Sequence, residues 1–141
     1  MSKYIVVDGD QVIFSPTFTP AIAIGGLKTK INGTGHAQIS GKSICIDGDE
    51  KQVKLQNIKY TSGSFTTPGD CYLTIESLNY DQVANHVFSK KKVIIVGSSF
   101  TAKLTVTKPA QMPNPPNTTD PASVYMGSGT FSSTNNFVKA N

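Results

Sequence analysis

Chain reversals come too often in this sequence for long helices or broad flat sheets. Turn signals fall at Gly25-Gly26, Asn32-Gly33, Ser40-Gly41 and Asp47-Gly48, a spacing of about seven or eight residues that describes short antiparallel strands. The stretch from Gly33 to Glu50, GTGHAQISGKSICIDGDE, reads as two short strands with glycine turns on either side. Asp-Gly between β-type runs favours a tight turn with positive φ, which glycine adopts without a Cβ clash. The Asp-Gly-Asp device occurs twice, at Asp8-Gly9-Asp10 and Asp47-Gly48-Asp49. It predicts one hairpin of Tyr4–Val7 with Gln11–Phe14. It predicts a second with Ile44 and Ile46 before the turn and Val53 and Leu55 after it.

The rest of the chain extends the pattern. Tyr60–Phe65 leads through the turn Thr66-Thr67-Pro68-Gly69 into Cys71–Ile75, which alternates as a strand does. Lys92–Val96 and Phe100–Val106, separated by Gly97-Ser98-Ser99, predict a late hairpin with Leu104 and Val106 on one face. Ser77–Val87 is the least strand-like part and places Leu78, Val83 and Val87 on one face of a short helix. From Pro109 the run PAQMPNPPNTTDP cannot supply ladder donors and reads as an extended strap. The last residues hold isolated aromatics, Tyr125, Phe131 and Phe137, in a polar background, expected to lie across the body or a partner. The expectation is an all-β, short-strand meander of hairpins forming a compact tapered domain over residues 1–108. A proline-rich strap and extended tail follow over 109–141.

At 141 residues the chain suits one domain with a single core. Gly (12) and Pro (8) outweigh what a helical protein tolerates, and charged residues are only 16%. The net charge is +4, yet every basic residue is lysine. Arginine reads phosphate and guanine with a bidentate fork, so its absence argues against a nucleic-acid partner despite the basic balance. The run Lys90-Lys91-Lys92 reads as a solvated turn and edge guard. No apolar run is long enough to span a bilayer, and the N-terminus lacks a signal-peptide core. Synthesis in the cytoplasm is expected, with later export only as part of a larger particle.

For catalysis, no nucleophile elbow of the Gly-x-Ser-x-Gly type is present, and the carboxylates fall mostly in turns, so no enzyme is expected. The Asp-x-Asp pairs lack the loop length and closing glutamate of a calcium-binding hand. The soft ligands His36, Cys45, Cys71 and His86 match in number one tetrahedral zinc, although no two of them form a ligand pair in sequence. Cys45 also alternates with Ile44 and Ile46, as a small buried apolar residue would. A Cys45–Cys71 disulfide is a third reading, disfavoured by cytoplasmic synthesis.

GTGHAQISGKSICIDGDE, together with the later LTIESLNYDQVANHVFSKKKVIIVGSSFTAKLTVTKPAQMPNPP, resembles the PAAR-like spike-tip proteins of contractile injection systems. These include type VI secretion, phage-tail-like particles and some phage tails. The resemblance implies a structural cone that caps a trimeric β-helical central spike at the baseplate, one tip per trimer, and sharpens it for piercing an envelope. Membrane contact would then be transient, and the protein would work at the tip of an assembled, fired particle. It also implies a structural zinc near the apex, for which His36, Cys45, Cys71 and His86 are the ligands this chain offers. The alternative is a stand-alone β-sandwich or barrel binding a small ligand or carbohydrate at a loop cluster.

Overall fold

The computed structural model of the chain describes residues 3–89, 91–115, 117–135 and 138–140. It is all-β apart from two short 3₁₀ turns, Asp49–Gln52 and Tyr80–Gln82. The strands in chain order are β1 (Lys3–Tyr4), β2 (Gln11–Phe14), β3 (Thr17–Phe18), β4 (Ala21–Ile24), β5 (Lys28–Lys30), β6 (Gln38–Ile39) and β7 (Lys42–Ser43). Then come β8 (Lys54–Ser62), β9 (Phe65–Ser77), β10 (Val83–Ser89), β11 (Lys91–Ile94), β12 (Phe100–Lys108), β13 (Val124–Ser132) and β14 (Lys139–Ala140). Eight of them form one sheet in the order β3-β4-β8-β9-β12-β13-β2-β5. The sheet curls until its ends approach, with β5 lying against β8 and β3 against β13.

Period-two alternation fills the interior of the curl. Phe100, Ala102 and Leu104 of β12 are buried while Thr101 between them is exposed. Phe14, Phe100 and Phe131 meet inside, with Phe14 edge-on to Phe100 at 5.6 Å and Phe100 tilted against Phe131 at 5.3 Å. Each such ring contributes about 2–3 kcal/mol by leaving water. The interior is thus packed side chain, with Phe18, Leu73 and Tyr60 completing it.

The three hairpin expectations are corrected first. The segments around Asp8-Gly9-Asp10 do not pair with each other: β1 pairs with β14, and β2 with β13 and β5. The strands flanking Asp47-Gly48-Asp49 likewise go separate ways, β7 to β6 and β8 to β4 and β9. Nor do β11 and β12 form a hairpin, since β11 pairs with β10 and β12 with β9 and β13. In each case the glycine turn is a corner that carries the chain from a small sheet into the large one. Ser77–Val87 is not a helix; after the turn at Tyr80–Gln82, β10 begins at Val83.

The residues after the proline run contribute more than a covering tail. β13 is a central strand, hydrogen-bonded between β12 and β2, and its buried Phe131 belongs to the core. Its glycines, Gly127 and Gly129, let the rings of Phe18 and Phe100 press onto the strand, where a side chain would collide. That small-residue pattern hid a core strand behind a polar composition.

Candidate functional site

Three stretches of the chain are built alike: KYIVVDGD (3–10), KSICIDGD (42–49) and KKVIIVGS (91–98). Each begins as the inner strand of a two-stranded hairpin. Lys3 lies opposite Ala140, Lys42 opposite Ile39 and Lys91 opposite Ser89. One residue on, Tyr4 faces Lys139, Ser43 faces Gln38 and Lys92 faces Phe88.

The middles of the three stretches close a ring of backbone hydrogen bonds. The Val6 amide donates to the Ile94 carbonyl (3.0 Å), the Ile94 amide to Cys45 (2.9 Å), and the Cys45 amide to Val6 (2.9 Å). A second cyclic set lies outside it. Asp8 donates to Ser43 (2.7 Å), Asp47 to Lys92 (2.8 Å) and Val96 to Tyr4 (2.9 Å). Bridges Ile5–Ile95, Val7–Ile44 and Ile46–Val93 complete each join. The single chain therefore carries a pseudo-threefold axis, with Val6, Cys45 and Ile94 as equivalent residues around it.

Alternation then sorts the side chains to the two sides of the ring. Val6, Cys45 and Ile94 are fully buried in the main core. Their neighbours Ile5, Val7, Ile44, Val93 and Ile95 form a second cluster with Ala84, against which Ile39 and Val138 of the outer hairpin segments pack. The ring thus separates the barrel core from a smaller core wrapped by the three hairpins.

Each stretch leaves the ring at a glycine with positive φ: Gly9 (86°), Gly48 (109°) and Gly97 (57°). The corner is secured by a carboxylate. Asp10, fully buried, accepts from the Val7 amide (2.8 Å), Ser133 Oγ (2.7 Å), the Thr134 amide (3.0 Å) and Thr134 Oγ1 (2.8 Å). Asp49 repeats this with the Ile46 amide (2.9 Å), the Thr34 amide (3.0 Å) and Thr34 Oγ1 (2.6 Å). At the third corner the polarity is exchanged: Ser98 takes the aspartate's place and donates its amide and Oγ, each at 3.1 Å, to Asp81. These aspartates are turn formers that also clamp a distant segment.

The strands that enter the ring region (β13, β5 and β9) and those that leave it (β2, β8 and β12) extend the threefold pattern into the sheet. At the far end the pattern stops. There β2 reaches β5 through β3 and β4, β8 reaches β9 through the tight turn at Gly63-Ser64, and β12 reaches β13 through residues 109–123. The proline-rich segment is held to the barrel by Asp120. It accepts from Tyr60 Oη (2.9 Å) and Tyr125 Oη (2.7 Å), and Tyr60 Oη accepts in turn from the Ala110 amide (3.0 Å). One end of the molecule is near-symmetric and the other is not.

The four proposed metal ligands are placed as follows. Cys45 stands at the pseudo-threefold axis, and Cys71 lies in β9 opposite Ile58 and Val106. Both are buried free thiols. Burial, and then the charges of Asp49, Asp10 and Asp8, push the Cys45 thiol far up, while burial and Asp70 push Cys71 up to about 12. His36 is on an exposed loop, and the side chain of His86 lies outside the described residues. Among the described residues, no group of three or more His, Cys, Asp or Glu is arranged to hold a metal ion. Cys45 is fully buried and packs in the main core as a small apolar residue does.

The repeat was legible in the sequence as Lys-x-(Ile/Val)-x-(Ile/Val)-x-Gly at 3–9, 42–48 and 91–97. Sequence reasoning found its first two copies through their shared Asp-Gly-Asp. It missed the third, in which Val96 and Ser98 replace the aspartates. No curated protein matches the chain in sequence. A family model for the contractile injection system spike tip protein matches residues 1–141, and the chain belongs to that family.

Proposed function

We propose that the protein seats its near-symmetric end on the blunt end of a threefold spike, one copy per trimer, and leaves the asymmetric end free as the piercing point. Membership of the spike-tip family makes this a structural part of an injection particle, associated with its spike. The cyclic hydrogen bonds through Val6, Cys45 and Ile94 carry the more specific reading. A single chain meets three identical subunits equally only if it offers three similar surfaces around one axis. The hairpins β1–β14, β6–β7 and β10–β11 offer these. In each, the outer strand (β14, β6 or β10) has no second strand neighbour among the described residues. Such an edge extends readily by β-augmentation with a partner strand. Rigidity suits the role, and the ring, the two packed cores and the corner clamps all tie distant segments of the chain together.

Native mass spectrometry of the tip mixed with its purified spike tests the reading. The expected complex has one tip on three spike chains. A short insertion between Ser40 and Gly41, at the turn of β6–β7, is expected to abolish it. The same insertion between Gly63 and Ser64, at the far end, leaves it intact. The reverse pattern, or three tips per trimer, refutes the assignment of the two ends.

A further inference from the structure

The first residue of each repeated stretch is a lysine: Lys3, Lys42 and Lys91. They occupy the same register position in three equivalent strand pairs, each in the pair of residues farthest from the ring. Lys92 and Lys139 lie in the same set of strands, and none of the six hairpin strands contains an aspartate or glutamate. Lys42, Lys91, Lys92 and Lys139 are exposed. Lys91 Nζ reaches toward the Gly48 corner, so this charge sits at the seam between two of the three units. Among the described residues, the ion pairs engage Lys59 with Asp70 and Lys103 with Glu76, both on the barrel. Lys42, Lys91, Lys92 and Lys139 have no such partner among the described residues.

An exposed strand end has no packing need for lysine, and an edge guard can stand anywhere along a strand. Repetition at one register in three copies sets three like charges around the pseudo-threefold axis, which matches a partner that is itself repeated three times. We propose that the spike's blunt end presents a carboxylate from each of its three chains. Lys3, Lys42 and Lys91 meet these one to one, and this fixes the rotational register of the tip. The inference rests on the seating proposed above and adds the chemistry of the partner's surface. Complementary charge of this kind speeds encounter, penalises wrong partners and selects a register, and it weakens with ionic strength.

The test is binding of the full-length tip to its purified spike trimer, measured from about 50 to 500 mM NaCl, a range over which the screening length falls severalfold. The variants are Lys42→Glu, Lys91→Glu and the barrel control Lys54→Glu, each first shown by thermal melting to fold. Should a reversal impair folding, Lys42→Gln and Lys91→Gln replace it. Expected are a steady loss of affinity with salt and a loss of roughly tenfold for each hairpin reversal. The two losses should be similar in size, and Lys54→Glu should have no effect. A one-to-three complex insensitive to salt and to both hairpin lysines overturns the carboxylate ring and leaves the seating standing. Failure of the unmodified tip to bind the trimer at low salt overturns both.

Discussion

Asp10 and Asp49 look interchangeable, yet replacement by asparagine separates them. At Asp10 the two backbone donors fall on different oxygens: the Val7 amide on Oδ2, the Thr134 amide on Oδ1. Asparagine keeps one acceptor oxygen, so one buried amide must face the new NH₂ group. An unsatisfied buried donor costs about 1–3 kcal/mol, and lost charge assistance on the remaining bonds adds to it. At Asp49 both backbone donors, Ile46 and Thr34, use Oδ2, while among the described residues Oδ1 receives the Thr34 hydroxyl at 2.6 Å. Asparagine keeps its oxygen at the Oδ2 position, and the hydroxyl rotates to accept from the new NH₂. Asp10→Asn should therefore cost about 3 kcal/mol and Asp49→Asn about 1 kcal/mol. Alanine strips both sites and should cost about 3–5 kcal/mol at either. At about 3–4 °C per kcal/mol for a chain of this size, Asp10→Asn should lower Tm by roughly 10 °C and Asp49→Asn by a third of that. Urea unfolding at constant m-value gives the free energies directly. If Asp49→Asn proves as damaging as Asp10→Asn, the assignment of donors to individual oxygens is wrong.

Gly9 and Gly97 hold equivalent corners with positive φ, but an added Cβ at Gly9 meets nothing within 4 Å, whereas at Gly97 it lies 2.5 Å from the Asp81 carbonyl oxygen. Gly9→Ala should cost about 1–2 kcal/mol in urea unfolding and Gly97→Ala clearly more, because backbone must also move. Tyr60→Phe removes the hydroxyl joining the Ala110 amide to Asp120. It should cost about 1–3 kcal/mol and speed proteolytic cleavage within residues 109–123 more than elsewhere. Alkaline pH should destabilise the protein. Burial lifts Cys71 from 9.0 and Tyr60 from 10.0, each to about 12, and raises Cys45 as well. The folded state then holds protons that the unfolded chain releases, so stability is full below about pH 9 and falls as pH rises toward 12. Melting curves from pH 8 to 11 should show the fall, and Cys71→Val should reduce its slope.

The sequence announced short strands and frequent corners because glycine, aspartate and alternating apolar residues act within a few positions of one another. Where the strands go after a corner depends on partners far away in the chain. Asp10 owes its four bonds to Val7, Ser133 and Thr134, and no local rule connects residue 10 to residue 134. Local reading therefore closed each Asp-Gly turn into a hairpin, the cheapest arrangement of two neighbouring strands, whereas the fold uses each as a junction between layers. The strand Val124–Ser132 was hidden for a related reason. Its glycines match the rings of Phe18 and Phe100, a fit visible only once those rings are in place. The ring itself follows from repetition. A stretch that cannot bury both of its faces alone buries one against the barrel and the other under a hairpin when three copies close on each other. In this chain the third hairpin is β1–β14, made from the two ends of the chain, in the place where Ser40-Gly41 closes β6–β7. Cutting a ring of three at one hairpin turn yields this order of elements, with an incoming and an outgoing barrel strand for each repeat. The same order explains why the lysine at position 3 has its counterparts at 42 and 91.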